Sequence, residues 1–338
     1  MRISFVTAGR NDDFGGRFLE RLQNSLNSIL VLGNKYGLDF EIVFVEWNPP
    51  PDRPRIRDAI RWPPETRKGQ VRIIEVPKEI HRNYERLVKI PFFEFPAKNA
   101  GIRRARGEYI LVTNSDIIFG DEIMRFLAKG TLSPDAFYRI NRYDVQKEIS
   151  SEMLIEEAIS VAENNIYRVQ TLEGPRLVLR KDRIREEILG RLSRVTVRRI
   201  REKLSKLWRK PTVRNGGART FNFWKEFSGL RGLFIHCGGD FMMMHRNRWE
   251  YFHGYPEVGL DRGIDCYMTI QCHLGGLLQV VLPQTIYHQE HDRSLQLLRP
   301  TAVLEDTPQY VEMMKSGKPV LVNDSEWGMK NFKLMETS

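Results

Sequence analysis

The sequence predicts an α/β protein with a mostly parallel central sheet flanked by helices, and three observations lead to that class. Four short runs in the first third of the chain are rich in β-branched and aromatic residues and almost continuously apolar, as in strands covered on both faces. These runs are residues 3–7, 41–46, 71–76 and 109–113. Between the first two, apolar residues recur every three or four positions over 18–30, which is typical of an amphipathic helix. Strands that alternate with helices in this way usually pair in parallel.

The later segments complete the outline of the chain. Residues 48–68 are rich in Pro and Arg and predict an irregular excursion from the sheet, and residues 99–106 predict a short helix. From about Tyr138 to Gly232 the apolar spacing becomes helical. A mixed pattern then returns, with a helix expected over 262–274, ended by Gly275 and Gly276, and a strand over 278–282. We therefore predict four segments: 1–137 and 233–300 as two halves of one α/β domain, 138–232 as a helical, basic insertion, and 301–338 as a C-terminal extension.

The positive charge is concentrated in one segment. The net charge is +10 over 338 residues, and residues 181–210 carry twelve Lys and Arg against four Asp and Glu, a net +8. The rest of the chain is nearly neutral, so a spread nucleic-acid footprint is not expected. This segment has Ile, Leu and Val at helical spacing and Trp208 near its end. It fits an inserted helix with a solvated charged face, a helix docked on an anionic membrane surface, or a helix that binds a polyanionic glycan or nucleic acid.

Cysteine usage and hydropathy predict a cytoplasmic protein. Cys237, Cys266 and Cys272 form no Cys-x-x-Cys pair, so we expect neither a zinc ribbon nor a thioredoxin-like motif, and an odd, low cysteine count suits a reducing cytoplasm. The sequence has no apolar run of about eighteen residues, and residues 1–7 do not look like a signal peptide. Any membrane association would be peripheral, at the inner face.

The first candidate site directly follows the strand predicted over 109–113. Asp116 stands in the sequence Asn114-Ser115-Asp116, at the end of a strand where ligands bind in open α/β sheets. A carboxylate there can hold Mg²⁺ or Mn²⁺, which neutralises a diphosphate leaving group. Asp is equally common in turns and at helix N-caps, so a structural role is the alternative.

Several passages resemble the family 2-like glycosyltransferases of GT-A fold, in the right order. Residues 5–12 look like the family's first strand and nucleotide-contacting loop, and residues 98–111 are similar to its Asn-x-Gly…Ala-x-Gly-Glu helix and strand. They run into Asn114-Ser115-Asp116, at the place of the Asp-x-Asp metal motif, with Asn instead of the first acid. An Asn carbonyl oxygen can still bind a hard cation. The resemblance implies a nucleotide-sugar site in residues 1–137, formed by Thr7, Ala8, Gly9, Asn11, Glu46, Lys98, Asn99, Asn114 and Ser115.

The resemblance continues in the second half of the domain. Residues 238–244, 248–249 and 254–257 are similar to the family's acceptor-side passage, which leads to a Glu-Asp pair on a helix. Here the pair is Ile264-Asp265, so Asp265 is the implied base, with Asp261 as a rival. Asp240 and Glu257 are implied acceptor-binding groups. Residues 286–292 include His288 and His291 after a strand, and the resemblance implies that His288 approaches the metal.

The expected function is therefore transfer of a sugar from a nucleotide-diphosphate sugar to a glycan or lipid-linked acceptor, with a divalent cation (Mn²⁺ or Mg²⁺). Thr7 and Glu46 stand where relatives read the base, which favours a UDP-linked donor, and the resemblance implies inversion. Two alternatives stay open. A sugar-nucleotide pyrophosphorylase would need a stronger Gly-rich loop than residues 7–11 offer. A non-catalytic binding module on the same fold would explain the missing acids before Asp116 and Asp265.

Overall fold

The computed structural model describes residues 1–85, 90–178, 232–258, 263–292, 304 and 307–338. The chain divides into two compact units, one formed by Met1–Arg176 with Gly232–Ser338 and the other by Leu177–Arg231. The basic segment 181–210 and the candidate base Asp261 lie outside the described residues. The four-segment division of the chain therefore stays a prediction.

The strands of the described chain are β1 (Arg2–Gly9), β2 (Asp39–Trp47), β3 (Val71–Val76), β4 (Tyr109–Val112), β5 (Ile117–Phe119), β6 (Ala136–Val145), β7 (Ile166–Thr171), β8 (Gly174–Leu177), β9 (Met242–His245), β10 (Leu278–Gln289) and β11 (Met335–Thr337). The helices are α1 (Phe18–Lys35), α2 (Ile56–Ala59), α3 (Lys78–Tyr84), α4 (Glu94–Arg104), α5 (Asp121–Ala128), α6 (Ile155–Asn164), α7 (Arg246–Phe252), α8 (Ile264–Leu274) and α9 (Pro308–Ser316). Within the described part of the chain, none of these helices is both long and apolar enough to span a bilayer.

The sheet confirms the predicted α/β class with a parallel centre. Its order is β11-β3-β2-β1-β4-β9-β6-β10-β5, and β1, β2, β3 and β4 all run in parallel. Strand β9 then pairs antiparallel with both β4 and β6, and β6 pairs parallel with β10. The second half is thereby joined to the first, so that the ends of β4 and β10 come into one region.

Helices cover both faces of the parallel strands. On one face, α1 buries Leu22, Leu26 and Ile29 against the odd-numbered apolar residues of β1. On the other face, α4 packs against β1 and β2, and a Cβ at Gly101 would lie 2.6 Å from a methyl group of Val6. Glycine at this position therefore allows the close approach of helix and sheet.

The last described residues close the far edge of the sheet. Strand β11 pairs antiparallel with β3, and Trp327 is buried beside α4. Arg104 of α4 donates to the carbonyl oxygens of Gly328 and Met329, both at 2.7 Å. This segment belongs to the core of the larger unit.

Two predicted boundaries differ from the structure. The helical prediction from about Tyr138 was wrong for residues 138–145, which belong to β6, and for residues 166–171 and 174–177, which form β7 and β8. Arg139 and Arg142 are buried in β6, and their charges interrupt the apolar pattern by which a buried strand is recognised. The strand predicted to end at residue 282 continues to Gln289, past a register shift between Leu282 and Thr285.

Candidate active site

A buried acidic group and two imidazoles meet beyond the carboxyl end of β4. Asp116 lies in the turn between β4 and β5, and its carbonyl oxygen accepts the backbone N–H of Gln289 at 3.1 Å. Oδ2 of Asp116 lies 3.6 Å from Nε2 of His288 and 3.3 Å from Nε2 of His291. The ligand atoms of these three residues all lie within 4.8 Å of one another. The structure thus brings the predicted pair Asp116 and His288 together and adds His291.

The other carboxylate oxygen of Asp116 has no hydrogen-bond partner among the described residues. Asp116 is 9% exposed, and its Oδ1 atom is buried. A buried acceptor without a partner is costly, and such atoms are rare in folded proteins. One carboxylate and two imidazoles form a donor set suited to a divalent transition metal.

The charge of Asp116 is set by its surroundings. Burial by itself raises the pKa of this carboxyl, but His288, His291 and Arg21 lower it by more. The net pKa therefore lies well below the usual range for Asp, and the group is ionised at neutral pH. An ionised carboxylate is the form that binds a cation.

The loop between β1 and α1 closes one side of this cluster. Gly15 has φ +72°, and a Cβ there would lie 2.5 Å from Nδ1 of His291, so only glycine fits without displacing the imidazole. The guanidinium of Arg21 donates to the carbonyl oxygens of Phe14 and Gly16. The loop and the end of β10 are thus packed around the same imidazole.

A second group also has metal-ligand spacing, but arginines occupy it. Asp144, His288 and Glu290 have ligand atoms within 4.8 Å of one another. Asp144 is paired with Arg142 at 2.9 Å and with Arg168. Arg168 also lies 3.2 Å from Glu290. Because guanidinium groups neutralise these two carboxylates, the Asp116 cluster is the better cation site.

Asn114, at the place of the first acid of the metal motif, is held by protein groups. Its Oδ1 atom accepts from the Lys98 ammonium, and its Nδ2 donates to Asp240 at 2.8 Å. Because the Lys98 ammonium can only donate and a carboxylate can only accept, the Asn114 amide must turn its oxygen to Lys98 and its nitrogen to Asp240. The ammonium group of Lys98 therefore already contacts Oδ1 of Asn114, the atom that was predicted to bind the metal. Ser115, the next residue, is half-buried.

Five of the predicted nucleotide-contacting residues lie at the carboxyl ends of β1 and β2 or just beyond them. Thr7, Ala8 and Asn11 are buried, and within the described residues Thr7 Oγ1 and Asn11 Oδ1 have no hydrogen-bond partner. Gly9 packs against Phe18. These two polar atoms are buried and unsatisfied, and they lie near the end of the central strand.

Glu46 is buried at the end of β2 and is held by backbone. Both of its carboxylate oxygens accept the N–H of Ile56, at 3.1 and 3.2 Å. Burial raises the pKa of Glu46 to about 7, despite that hydrogen bond and the nearby charge of Arg55. It lines a cavity of about 190 Å³ with Arg55 and Glu75.

Asp265 lies in the first turn of α8, at the edge of the acceptor-side passage. Its Oδ2 accepts the backbone N–H of Gly239 at 3.2 Å, and the side chain is half-buried. A Cβ at Gly238 would lie 2.9 Å from the Cβ of Asp265, so glycine permits this contact. One carboxylate oxygen is thus fixed by backbone.

The two predicted acceptor-binding acids are engaged by other side chains. Asp240 is 3% exposed and pairs with Arg142 at 2.6 Å. Glu257 accepts from Asn99 Nδ2 at 2.8 Å and from Tyr84 at 3.2 Å. Their acceptor-binding roles stay predictions. Asn99 and Glu257 are joined to each other, and Asp240 is joined through Asn114 to the region of Asp116.

Sequence reasoning missed the charged residues of β6 and β7. Arg142 bridges Asp144 and Asp240, and Arg168 pairs with Asp144. The only sequence signal was an unusual number of charges in residues 139–144 among apolar neighbours. His291 was noticed beside His288 but was not assigned to the metal.

The comparisons with known proteins give fold likeness at low identity. No protein-family model and no curated protein matches the chain. Residues 1–349 of S. aureus TarS are 13% identical with a TM-score of 0.44, covering 86% of this chain and 60% of that one. The same TarS fragment in complex with UDP-GlcNAc is 11% identical with a TM-score of 0.46, covering 94% and 66%. Mannosyltransferase PcManGT from Pyrobaculum calidifontis, in complex with GDP-Man and Mn²⁺, is 12% identical with a TM-score of 0.41, covering 97% and 72%. The chain thus spans less than two thirds of the TarS fragments, and its function has to be argued from its own residues.

Proposed function

We propose that this chain is a metal-dependent glycosyltransferase that moves a sugar from a nucleotide-diphosphate sugar to a hydroxyl of a glycan or lipid-linked acceptor. The observation that carries the proposal is the cluster of Asp116, His288 and His291 beyond the carboxyl end of β4. Ligands of open α/β sheets bind at this end of the strands. An ionised, buried carboxylate with one unsatisfied oxygen, beside two imidazoles, suits a cation that supports a diphosphate.

The residues present fit a divalent cation. Asp116, His288 and His291 would hold it, and when bound it supplies positive charge that stabilises the departing diphosphate. Imidazole ligands suit Mn²⁺, whereas Mg²⁺ prefers oxygen ligands and retained water. We therefore expect Mn²⁺ to support activity better than Mg²⁺ does.

The donor would lie along the ends of β1 and β2. The unsatisfied Thr7 Oγ1 and Asn11 Oδ1 offer hydrogen bonds to a nucleoside, and Glu46 is positioned at the end of the next strand. We assign a UDP-linked donor to this region. Ala8 and Gly9 would let it approach the backbone, and Lys98, Asn99, Asn114 and Ser115 would form the adjoining wall.

Asp265 is the proposed general base. As the acceptor oxygen attacks the anomeric carbon, its proton passes to the other carboxylate oxygen of Asp265, Oδ1, and the bond from that carbon to the diphosphate oxygen breaks. The leaving group takes the bonding electron pair and departs as nucleoside diphosphate. A single displacement of this kind inverts the anomeric configuration. The N–H of Gly239 would keep Oδ2 of Asp265 fixed during the transfer.

The decisive test is thermal unfolding with a panel of nucleotides and nucleotide sugars, each with Mn²⁺ and with EDTA. A ligand at about a hundred times its dissociation constant should add roughly 2.7 kcal/mol to the free energy of unfolding. We expect this gain with UDP compounds and Mn²⁺, and its loss in Asp116→Ala. His273→Ala is the matched control, because His273 lies near the end of α8 and outside the cluster.

Product analysis then separates turnover from binding. Release of UDP together with a glycosylated acceptor supports the transferase, and its loss in Asp265→Asn with retained UDP binding supports the base. Stabilisation by UDP-sugars without any turnover would instead select a non-catalytic binding module. No stabilisation by any nucleotide would refute the donor site.

Membrane contact is a further part of the proposal, and it concerns residues 181–210, which lie outside the described residues. If residues 181–210 dock on an anionic surface at the inner face of a membrane, binding to anionic vesicles should weaken as salt is raised. Vesicle sedimentation of the whole chain measures this directly.

A further inference from the structure

We propose that Asp144 is a positioning residue that accepts the Nδ1 proton of His288 and so directs Nε2 of the same imidazole towards Asp116 and the metal. The inference rests on the proposed function, because it concerns the metal site of that function. It assigns a role to a buried carboxylate that the transfer chemistry does not use.

The register of three strands builds this arrangement. Asp144 of β6 is paired with His288 of β10 on one side and with Arg168 of β7 on the other. Residues paired across neighbouring strands project to the same face of a sheet. The result is a cross-strand row in which a guanidinium, a carboxylate and an imidazole follow one another, and it ends at Asp116.

The distances show which nitrogen faces which acid. Nδ1 of His288 lies 3.2 Å from Oδ1 of Asp144, and Nε2 lies 3.6 Å from Oδ2 of Asp116. The imidazole is 3% exposed, so water has little access to either nitrogen. A neutral imidazole carries one proton, and a proton on Nδ1 leaves the lone pair of Nε2 free for a metal. Carboxylates that hold a ligating His in this way commonly tune metal affinity.

Asp144 is itself poorly placed to be a ligand. It is fully buried, and its two oxygens face Arg142 and Arg168. Arg142 continues to Asp240, so the row is anchored in a second buried ion pair. Asp144 is thus fixed by two guanidiniums, which lets it fix the imidazole in turn.

The experiment measures Mn²⁺ binding to the whole chain without any sugar donor, using the electron paramagnetic resonance signal of free Mn²⁺ for affinity and electron spin-echo modulation for coordinated imidazole nitrogen. Asp144→Ala is expected to weaken Mn²⁺ binding by about 10- to 100-fold and to reduce the nitrogen modulation. Glu41→Ala is the matched control, because it removes another buried carboxylate that pairs with an arginine, and this carboxylate lies near the start of β2 rather than beside His288. We expect its Mn²⁺ affinity to stay within about threefold of the wild type, well inside the loss typical of outer-shell changes.

The outcomes separate the inference from the proposed function. If the wild type binds Mn²⁺ and Asp116→Ala does not, but Asp144→Ala binds as tightly as the wild type with unchanged nitrogen modulation, the positioning role is refuted and the metal site stands. Equal losses in Asp144→Ala and Glu41→Ala would also refute it, since that pattern reports the general damage caused by removing a buried ion-paired carboxylate. A wild type that binds no Mn²⁺ overturns both proposals.

A second measurement does not depend on whether Asp144→Ala folds. In the wild type loaded with Zn²⁺ as a diamagnetic probe, ¹⁵N spectra of labelled histidines, assigned with His288→Gln, report which nitrogen is protonated. A protonated Nδ1 with a metal-bound Nε2 is the expected result. Coordination through Nδ1 would overturn the inference.

Discussion

Two buried carboxylates lie at opposite ends of the parallel strands, and their surroundings differ. Glu41, near the start of β2, accepts from Ser4 at 2.6 Å, from the N–H of Arg106 at 2.5 Å and from Arg72 at 3.0 Å. Asp116, beyond the end of β4, keeps one buried oxygen without a hydrogen-bond partner among the described residues. Both pKa values are lowered despite burial, at Glu41 by hydrogen bonds and Arg72 and at Asp116 chiefly by imidazoles.

The difference separates a structural carboxylate from a functional one. The oxygens of Glu41 are used to join β1, β2, β3 and the turn after α4. Asp116 is ionised but incompletely satisfied, and its nearest side-chain neighbours are the imidazoles of His288 and His291, which can also bind metal. Burial and a lowered pKa are common to both, so neither property alone identifies a site. The properties that identify Asp116 as a functional site are its unsatisfied oxygen and the imidazoles that surround it.

The largest expected effect is on chemistry at Asp116. Asp116→Asn should lower the transfer rate by about 10³-fold or more, equivalent to about 4 kcal/mol in the barrier, because the ionised metal ligand is lost. Its free energy of unfolding without metal should change by only about 1 kcal/mol, since the amide keeps the shape of the side chain. Steady-state kinetics and urea unfolding measure the two quantities. If Asp116→Asn lowered the free energy of unfolding as much as a Glu41 variant does, Asp116 would be a structural carboxylate like Glu41, and the distinction between the two would be wrong.

Glu41 should show the opposite balance. Glu41→Gln should lower the free energy of unfolding by about 3 kcal/mol, because it leaves the buried guanidinium of Arg72 less well paired. Mn²⁺ affinity of the folded fraction should not change. Glu75→Gln is the control, since Glu75 pairs with the partly exposed Arg55 and should cost at most about 1 kcal/mol. A drop in the Mn²⁺ affinity of Glu41→Gln would show that Glu41 is not a purely structural carboxylate, contrary to the comparison with Asp116.

Replacing Asn114 by the Asp of the usual metal motif should not improve Mn²⁺ binding. Asn114→Asp should give no gain in Mn²⁺ affinity and should lower the free energy of unfolding by about 1–3 kcal/mol, because the new carboxylate would face Asp240 in place of a donor. Asn247→Asp, an exposed change of the same kind in α7, controls for added charge. Titration with Mn²⁺ and urea unfolding provide the test. Tighter Mn²⁺ binding in Asn114→Asp would show that the site uses the usual acidic pair.

The smallest expected effect is a dependence on pH at Glu46. Its pKa of about 7 in the folded state is above its ordinary value of 4.5, so the folded state holds this proton more tightly than the unfolded state does. The associated stability is present below pH 4.5 and is lost as the pH rises through about 7. Glu46→Gln should therefore stabilise the protein by an amount on the order of 1 kcal/mol above pH 7 and should flatten this part of the profile. Glu41, whose pKa is lowered, should contribute the opposite slope in acid. Measuring the free energy of unfolding from acid pH to above pH 7, without nucleotide, gives the slopes that Glu41 and Glu46 contribute.

The sequence predicted the parallel half of the molecule well and the second half less well. Strands β1 to β4 and helix α1 have strong apolar periods, and burial on both faces follows from those periods. Strand β6 was missed because Arg139 and Arg142 interrupt its apolar pattern. Arg139 is fully buried and donates to the carbonyl oxygens of Phe234 and Phe241, which a local pattern cannot reveal. Buried charges of this kind depend on partners that are distant in the chain.

The same limit applied to the site. Asp116 and His288 could be predicted because each directly follows a strand pattern or lies within one. Asp144 could not, since its partners Arg168 and His288 are brought together only by the register of β6 with β7 and β10. Asn114 was recognised as a departure from the acidic motif, but its bonds to Lys98 and Asp240 were not foreseeable. Strand register is set by contacts across the folded sheet, and the local pattern of one sequence does not reveal it.

The register shift in β10 has a consequence for how the site can change. Leu282 pairs with Ile140 and Thr285 pairs with Asn141, so β10 advances by two more residues than β6 across this shift. Side chains alternate between the faces of a strand, and an offset of two keeps that alternation, whereas an insertion of one residue between Thr285 and His288 would turn the imidazole to the opposite face. All the ligand residues would still be present in such a chain, yet they would no longer meet. The site should therefore tolerate many substitutions along β10 but hardly any odd-numbered change in its length.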